Sequence, residues 1–343
     1  MDRLTLAELD LISGTVESAV DRTAEIDRWC SGPDWVLPVR SGFDPHSEPL
    51  VWQVETGDGP GFGLCRRFEL DDGRWVVAGL EPMWGFAAPL VGMDVTSVAA
   101  SLPEILADSP WDVVVLPGLP EPVHQASYLP RVVGGVAPLG QVGVTEGMTR
   151  RVADVSDGFD PWLRRRSARF ARNLRRIERR AAGAGLTIED IAADADGPDG
   201  AERVFERILA VERRSWKGVD DQGLTGAGME PTYRAMMVRL AVEGRLRVAV
   251  ARHGGDDVGY IIGGVRSRVY RGLQLGYVEP ARPWSVGHLL QLHQLRVAGA
   301  DPTIDDYDLG MDIAYKEPWS DRTPRSYRLV IERRSKRARP GIH

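Results

Sequence analysis

Three strand-like runs follow one another without an intervening helix: "RLRVAVARH" (245–253), "VGYIIGGVRS" (258–267) and "RVYRGLQLGYV" (268–278). β-Branched and aromatic residues mark each as extended, and the "GGDD" between the first two supplies a tight turn. Consecutive strands pair as a meander, which must bury at least one face against something else. The neighbouring segments offer helices for that purpose. "PWLRRRSARFARNLRRIERRAAGAG" carries Phe170, Leu174, Ile177 and Ala181 at spacings of four, three and four, the apolar stripe of a helix begun near Pro161 and ended by Gly183 and Gly185. A strand, "LTIEDIAAD", and two helices, "GAERVFERILAVERRSW" and "PTYRAMMVRLAVEG", come before the meander. A Pro-rich loop, the helix "VGHLLQLHQLRVAGA" and the strands "TIDDYDLG" and "RSYRLVIER" come after it. An α/β fold is expected.

The chain has 343 residues, of which 43% are hydrophobic, enough for two cores, and the boundaries are placed at 1–150 and 151–343. The first half reads as an opening helical stretch, short strands such as "LVWQVET", "WVVAGL" and "WDVVVLPGLP", one helix at "DVTSVAASLPEILAD" and a Gly-rich close, "GGVAPLGQVGVTEGM". A net charge of -6 makes the whole chain a poor binder of nucleic acid or membrane, so any such role needs a local patch. Cys30 and Cys65 are too few for a disulfide framework, and the scattered histidines form no metal-binding pair, so no metal is expected. "MDRLTLAELDLISG" lacks the apolar core of a secretory signal, and nothing approaches about 18 consecutive apolar residues. The expected location is cytoplasmic, without a membrane span. Oligomeric state stays open.

Pro161 to Ala182 holds nine arginines and one acid, Glu178, so the remainder of the chain carries -14. Arg165, Arg169, Arg172, Arg176 and Arg180 form one stripe that can grip phosphates of a nucleotide, a carrier or RNA; a solvated face balanced by the acidic remainder is the other reading. The tail "RRSKRARPGIH" adds positive charge and is expected to be disordered. Lysine occurs only at 217, 316 and 336, against 40 arginines. Genomic bias explains the skew, but each lysine is also a compact, titratable charge that arginine cannot imitate.

Four ordered blocks, "RFARNLRRIERRAAGAG", "VERRSWKG", "LGYVEPARPWSVGHLL" and "YDLGMDIAYKEPW", resemble those of the CelD-like, FemAB-related acyltransferases of the GNAT superfamily. The order of strands and helices in this half is also that of the GNAT fold. The resemblance covers roughly residues 150 to 320 and implies two tandem GNAT domains, each a mixed twisted sheet flanked by helices, the first degenerate. Val278 and Val286 depart from the family pattern, which often has Asp and Pro there.

What the resemblance implies for chemistry is transfer of an acyl group from acyl-CoA or acetyl-CoA to an amine or hydroxyl of a small-molecule or glycan-linked, cell-envelope acceptor. Aminoacyl-tRNA as donor, in a Fem-like peptidyltransferase, is one alternative; a non-catalytic phosphate- or RNA-binding module is another. No cofactor is permanently bound on any of these readings. In the GNAT fold the donor lies where two parallel strands part, with its phosphates at the next helix N-terminus. That assigns donor binding to Tyr277, Arg282, Ser285, Val286, Gly287 and His288, with Ser285 as N-cap. Glu212 is a candidate proton acceptor or a solvated helix residue; Trp216 lines a cleft or a core; Lys217 favours a helix C-terminus or binds an anionic acceptor. Alternation puts Asp306 and Asp308 on one face of a strand and Asp305 and Tyr307 on the other. Asp308 is a candidate catalytic group, and Asp306, Tyr315 and Arg172 are candidate substrate contacts. In the Fem enzymes the lysine matching Lys316 is implicated in transition-state charge; the competing reading is a buried Asp–Lys pair that pins the loop.

Overall fold

A computed structural model describes residues 1–192, 197–219 and 223–333, apart from the side chains of Trp216 and Val219. The greater part of the basic tail therefore lies outside the described residues. The strands are β1 (Asp2–Leu4), β2 (Glu48–Thr56), β3 (Gly59–Glu69), β4 (Trp75–Gly79), β5 (Leu90–Val91), β6 (Val113–Pro120), β7 (Gly140–Asp154), β8 (Thr187–Asp190), β9 (Leu246–His253), β10 (Asp256–Arg266), β11 (Val269–Tyr277), β12 (Asp306–Met311) and β13 (Arg325–Arg333). The chain divides into two compact units. One contains Met1–Arg40, Asp44–Met148 and the residues from Arg325 on; the other contains Ser41–Phe43 and Thr149–Pro324. The last strand thus joins the first unit, where the sequence reading had assigned it to the second.

In the first unit β1, β2, β3 and β4 form an antiparallel run, β4 pairs parallel with β6, and β13 pairs antiparallel with β6. The β4–β6 ladder holds for Val76↔Val113, Val77↔Val114 and Ala78↔Val115. Past it the chain's own segment 86–89 occupies the space. Phe86, Ala87 and Ala88 are all buried. A Cβ on Gly118 of β6 would lie 2.4 Å from the Ala87 carbonyl, and one on Gly79 of β4 would lie 3.0 Å from Pro117 of β6 and 3.6 Å from Pro89. The stretch expected as one helix at 94–108 is two, Val95–Ala100 and Leu102–Leu106, parted where Ser101 precedes Leu102-Pro103.

In the second unit the order is β7, β12, β11, β10, β9, β8, antiparallel throughout except for the parallel pair β11–β12. The meander is as the sequence suggests, and its two faces are covered by different helices. Gly259 of β10 faces Val286 and Leu290 of the helix Val286–Ala300, while the next residue, Tyr260, faces Glu212 at the end of the helix Gly197–Glu212. The first face holds a core of Trp162, Leu174, Tyr270, Leu292, Leu295, Tyr307 and Trp319. Tyr270 and Tyr307, opposite each other in the parallel ladder, stack with ring centroids 4.5 Å apart.

The arginine-rich stretch is not one helix. A short helix, Phe159–Arg164, ends at Arg165; then Ser167 caps a second, Ala168–Gly183, by accepting from the Phe170 N–H at 3.2 Å. Trp162 and Arg166 account for the break. The indole nitrogen donates to the Trp319 carbonyl at 3.2 Å, and Arg166 turns back over the Trp162 ring to pair with Asp321. Among the described residues no helix is long and apolar enough to cross a membrane.

Candidate functional site

The parallel ladder between β11 and β12 consists of Val269↔Asp306, Tyr270↔Tyr307 and Arg271↔Asp308. It stops there, although β11 runs on to Tyr277 and β12 to Met311, so the two strands part. Near the fork a Cβ on Gly272 would meet the Asp308 carbonyl at 3.5 Å and the Tyr270 ring at 3.9 Å, and one on Gly310 would meet the Gly272 carbonyl at 3.7 Å. On β11 the pairing with β10 steps from Ile262↔Gln274 to Gly263↔Gly272, leaving Leu273 as a one-residue bulge inside the diverging arm.

Tyr270 and Tyr307 point into the core, so alternation sends Arg271 and Asp308 to the opposite face. Both side chains are fully buried there. The Asp308 carboxylate pairs with Arg150 of β7, accepts from Arg271 at 3.1 Å, and accepts from the Gly310 N–H at 2.8 Å. That last bond fits the left-handed Gly310, whose φ of 77° a side chain would strain. Asp306, on the same face of β12, pairs with Arg322 instead, and Asp305, just outside the strand, pairs with Arg268.

Lys316 follows in a 3-10 turn, Ala314–Trp319, and returns over the end of β12. It is 9% exposed. Its ammonium donates to the Met311 carbonyl at 3.1 Å, lies 3.8 Å from where a Gly310 Cβ would sit, and lies 5.8 Å from the centre of the Tyr315 ring. Burial lowers its pKa to about 8. The attraction of Asp308 opposes that shift, while the positive charges of Arg271 and Lys217 add to it. Tyr315 itself is 55% exposed.

Lys217 comes from the other side. It stands on a short helix of its own, Trp216–Val219, and not at the end of the preceding one. Its ammonium donates to the Leu275 carbonyl of β11 at 2.8 Å and lies 3.4 Å from the Gln274 side-chain oxygen. Burial lowers its pKa against the pull of Glu212. Two lysine ammoniums thus sit on the two diverging arms. Trp216 belongs to the same short helix, but its side chain lies outside the described residues.

Glu212 is neither a solvated helix residue nor open to a ligand. It is fully buried, accepting from the Ser215 hydroxyl at 3.0 Å and the Leu224 N–H at 3.0 Å, and it faces the Tyr260 hydroxyl without hydrogen-bonding geometry. Burial, then the charge of Glu212, pushes the Tyr260 pKa well up. Gly276 makes room for this arrangement, since a Cβ there would stand 2.5 Å from the Glu212 carboxylate.

The residues before the helix Val286–Ala300 are divided in orientation. Ser285 occupies the N-cap position with a left-handed φ of 58° and makes no side-chain capping bond, contrary to the sequence expectation. The helix N-terminus therefore has no hydroxyl cap from Ser285. Tyr277 packs on Gly287, whose Cβ would meet its ring at 3.2 Å. Val286 is core, buried against Gly259. His288 is half-buried with its ring 6.1 Å from that of Trp319, and burial lowers its pKa. Arg282 is exposed and pairs with Glu279 at 3.0 Å.

Arg172 stands apart from Lys316 and Asp308. Its helix lies on the Tyr270–Tyr307 face, packed beside the helix Val286–Ala300 through the Glu178–Arg296 pair, whereas Lys316 and Asp308 lie across the sheet. Arg165 pairs with Asp321 at 3.1 Å and belongs to the preceding turn, so the predicted five-arginine stripe loses its first member. Sequence reasoning missed Arg150 and Arg271. The visible signal was an arginine at position 271 inside a mostly apolar strand, where burial requires a charged partner.

No curated protein matches the chain at a significant level. Among solved structures, FemX is similar over 96% of this chain and 97% of its own, at 9% identity and a TM-score of 0.64. A conserved protein of unknown function from Bacteroides thetaiotaomicron is similar over 96% and 99%, at 13% identity and a TM-score of 0.61. A tandem GNAT protein from the clavulanic acid biosynthesis pathway is similar over 96% and 97%, at 15% identity and a TM-score of 0.51. At these identities the likeness is one of fold: mixed α/β, built from GNAT-like units in tandem. The family described as acetyltransferase (GNAT) domain matches residues 146–317, half of the chain, and the protein belongs to that GNAT family.

Proposed function

We propose that the fork between β11 and β12 receives the acyl group of a CoA thioester, acyl-CoA or acetyl-CoA, and that Lys316 stabilises the charge that develops on its carbonyl oxygen. The observation that carries this reading is the buried Lys316 ammonium over Gly310, where the ladder between the parallel strands has ended. The neutral amine or hydroxyl of the acceptor attacks the thioester carbon. A C–N or C–O bond forms, the carbonyl oxygen becomes negative beside the ammonium, and collapse breaks the C–S bond. The thiolate leaves with the proton released by the acceptor.

The other residues have supporting parts in this reading. The N–H groups at the start of Val286–Ala300, with Ser285, Gly287 and Tyr277 around them, offer a place for the donor's phosphates. Asp308 acts as the anchor of Arg150 and Arg271, since a carboxylate already accepting three bonds is a poor proton acceptor. Glu212 holds the 223–225 turn against β11 as a positioning residue. Lys217 and the exposed Tyr315 border the space left for a small-molecule or glycan-linked acceptor, in a cytoplasmic setting.

Two measurements test the reading. Saturable binding of a CoA thioester is expected, and Lys316→Ala is expected to lower transfer by at least about 10²-fold, the scale lost with one oxyanion donor. Unchanged turnover in that variant ends the assignment. Salt-sensitive binding of aminoacyl-tRNA with no affinity for CoA thioesters replaces the donor.

A further inference from the structure

The arginine-rich helix supplies no group to the transfer described above, yet its outer surface carries a dense array of positive charge. Arg169, Arg172, Arg175, Arg176, Arg179 and Arg180 are all exposed along Ala168–Gly183. At 100° per residue they cover an arc of about 140°, opposite the buried Leu174, Ile177 and Ala181, over a helix about 24 Å long. The one acid on the helix, Glu178, is turned aside to Arg296. Arg176 donates to Asn173 at 2.8 Å and Arg180 to the Pro283 carbonyl at 3.0 Å, contacts that leave both charges uncompensated. Arg169, Arg172, Arg175 and Arg179 have no ion pair among the described residues.

Such a face suits an array of phosphates, and its chemistry narrows which one. No aromatic ring stands among the arginines to stack on bases, because Phe170 is turned to the core against Trp319 at 5.2 Å. A ridge of guanidiniums on a helix does not read base edges in the deep, narrow groove of double-stranded RNA. Nor does the face carry apolar residues that would insert into lipid tails; it can only lie on a charged surface. A plane of anionic headgroups meets the whole ridge at once and asks for nothing but positive charge. The rest of the chain is acidic overall, at -14 by sequence with the basic tail included, so the plane attracts this face against the net repulsion of the remainder.

We propose that the Ala168–Gly183 face docks the protein peripherally on an anionic lipid bilayer, without insertion. This rests on the helix alone and not on the acyl-transfer reading. The test is co-flotation of the full chain with vesicles of phosphatidylcholine carrying either no phosphatidylglycerol or about 30% of it, in about 0.1 M and 0.5 M salt. Binding is expected only to the anionic vesicles and only at the lower salt. Arg172→Gln, Arg175→Gln and Arg179→Gln combined are expected to weaken partition by about 10²-fold, since each basic side chain near such a surface contributes roughly a factor of five. These positions are exposed and glutamine keeps helix propensity, so the far-UV spectrum and the melting temperature should not move. The variant retains the basic tail, which separates the helix from it. Equal partition to both vesicle types overturns the proposal, as does undiminished partition of the triple variant. Tighter binding of tRNA or duplex DNA than of the anionic vesicles at the same salt also overturns it, in favour of a nucleic-acid surface.

Discussion

Replacing Lys316 by methionine separates the two uses a buried ammonium can have. In the folded protein its pKa is lowered from the usual 10.5 to about 8, with burial as the main cause. At about 1.4 kcal/mol per unit, holding the charge there costs the folded state about 3 kcal/mol at neutral pH. Methionine fills similar volume without that cost and gives up one bond to the Met311 carbonyl, worth about 1 kcal/mol. Lys316→Met is thus expected to be about 2 kcal/mol more stable than the parent at pH 7 and at least about 10²-fold slower in transfer. The sign with pH follows from linkage. Because the folded pKa lies below the unfolded one, the unfolded chain holds more protons between about 8 and 10.5, and the parent gains stability as pH rises through that window. By pH 9.5 the gain is about 2 kcal/mol, which removes the advantage of the variant. Urea midpoints of both proteins at pH 7 and 9.5 read this directly. A variant less stable than the parent at pH 7 refutes the reasoning and makes Lys316 a structural tie to Asp308. In the same window the parent's transfer rate should fall as pH rises through about 8, where the ammonium is lost.

Asp308→Ala leaves the fully buried Arg271 without its carboxylate and is expected to cost about 3–5 kcal/mol in urea denaturation, with Lys316→Met unable to compensate. Gly276→Ala forces a methyl group to 2.5 Å from the Glu212 carboxylate and 2.6 Å from the Tyr260 ring, and should lower stability by about 1–3 kcal/mol, read as a lowered melting temperature.

Much of the second unit could be read in the sequence because its elements announce themselves locally. The meander, the helix at 286–300 and the apolar stripe of Leu174, Ile177 and Ala181 all follow from periodicity and appear as expected. Lys316 attracted notice by its rarity, and its ammonium sits over Gly310 at the end of β12. What escaped was set by distant partners. Nothing local tells that Arg150 and Arg271 share Asp308, because the three residues meet only when β7, β11 and β12 are side by side. Asp306 and Asp308 share a face, as alternation required, but two positions along the strand took them to different arginines. The break before Ser167 was visible only as a serine with helix on both sides; Trp162 and Asp321 decided it. The fifteen residues of β7 were hidden by their glycines, whose strand conformation comes from neighbouring strands and not from their own preference.

The filled opening in the first unit sets a limit on what that unit can bind. Segment 86–89 is covalently attached to the fork it fills, so it competes with any free ligand at an effective concentration in the millimolar range or higher. A donor present at micromolar levels displaces it only if its affinity for the place exceeds that of the segment by more than the ratio of the two concentrations. A titration of the whole chain with a tight donor should therefore end at one equivalent, and the duplicated fold would act as a single-site protein whose second copy spends its ligand-binding geometry on holding itself together.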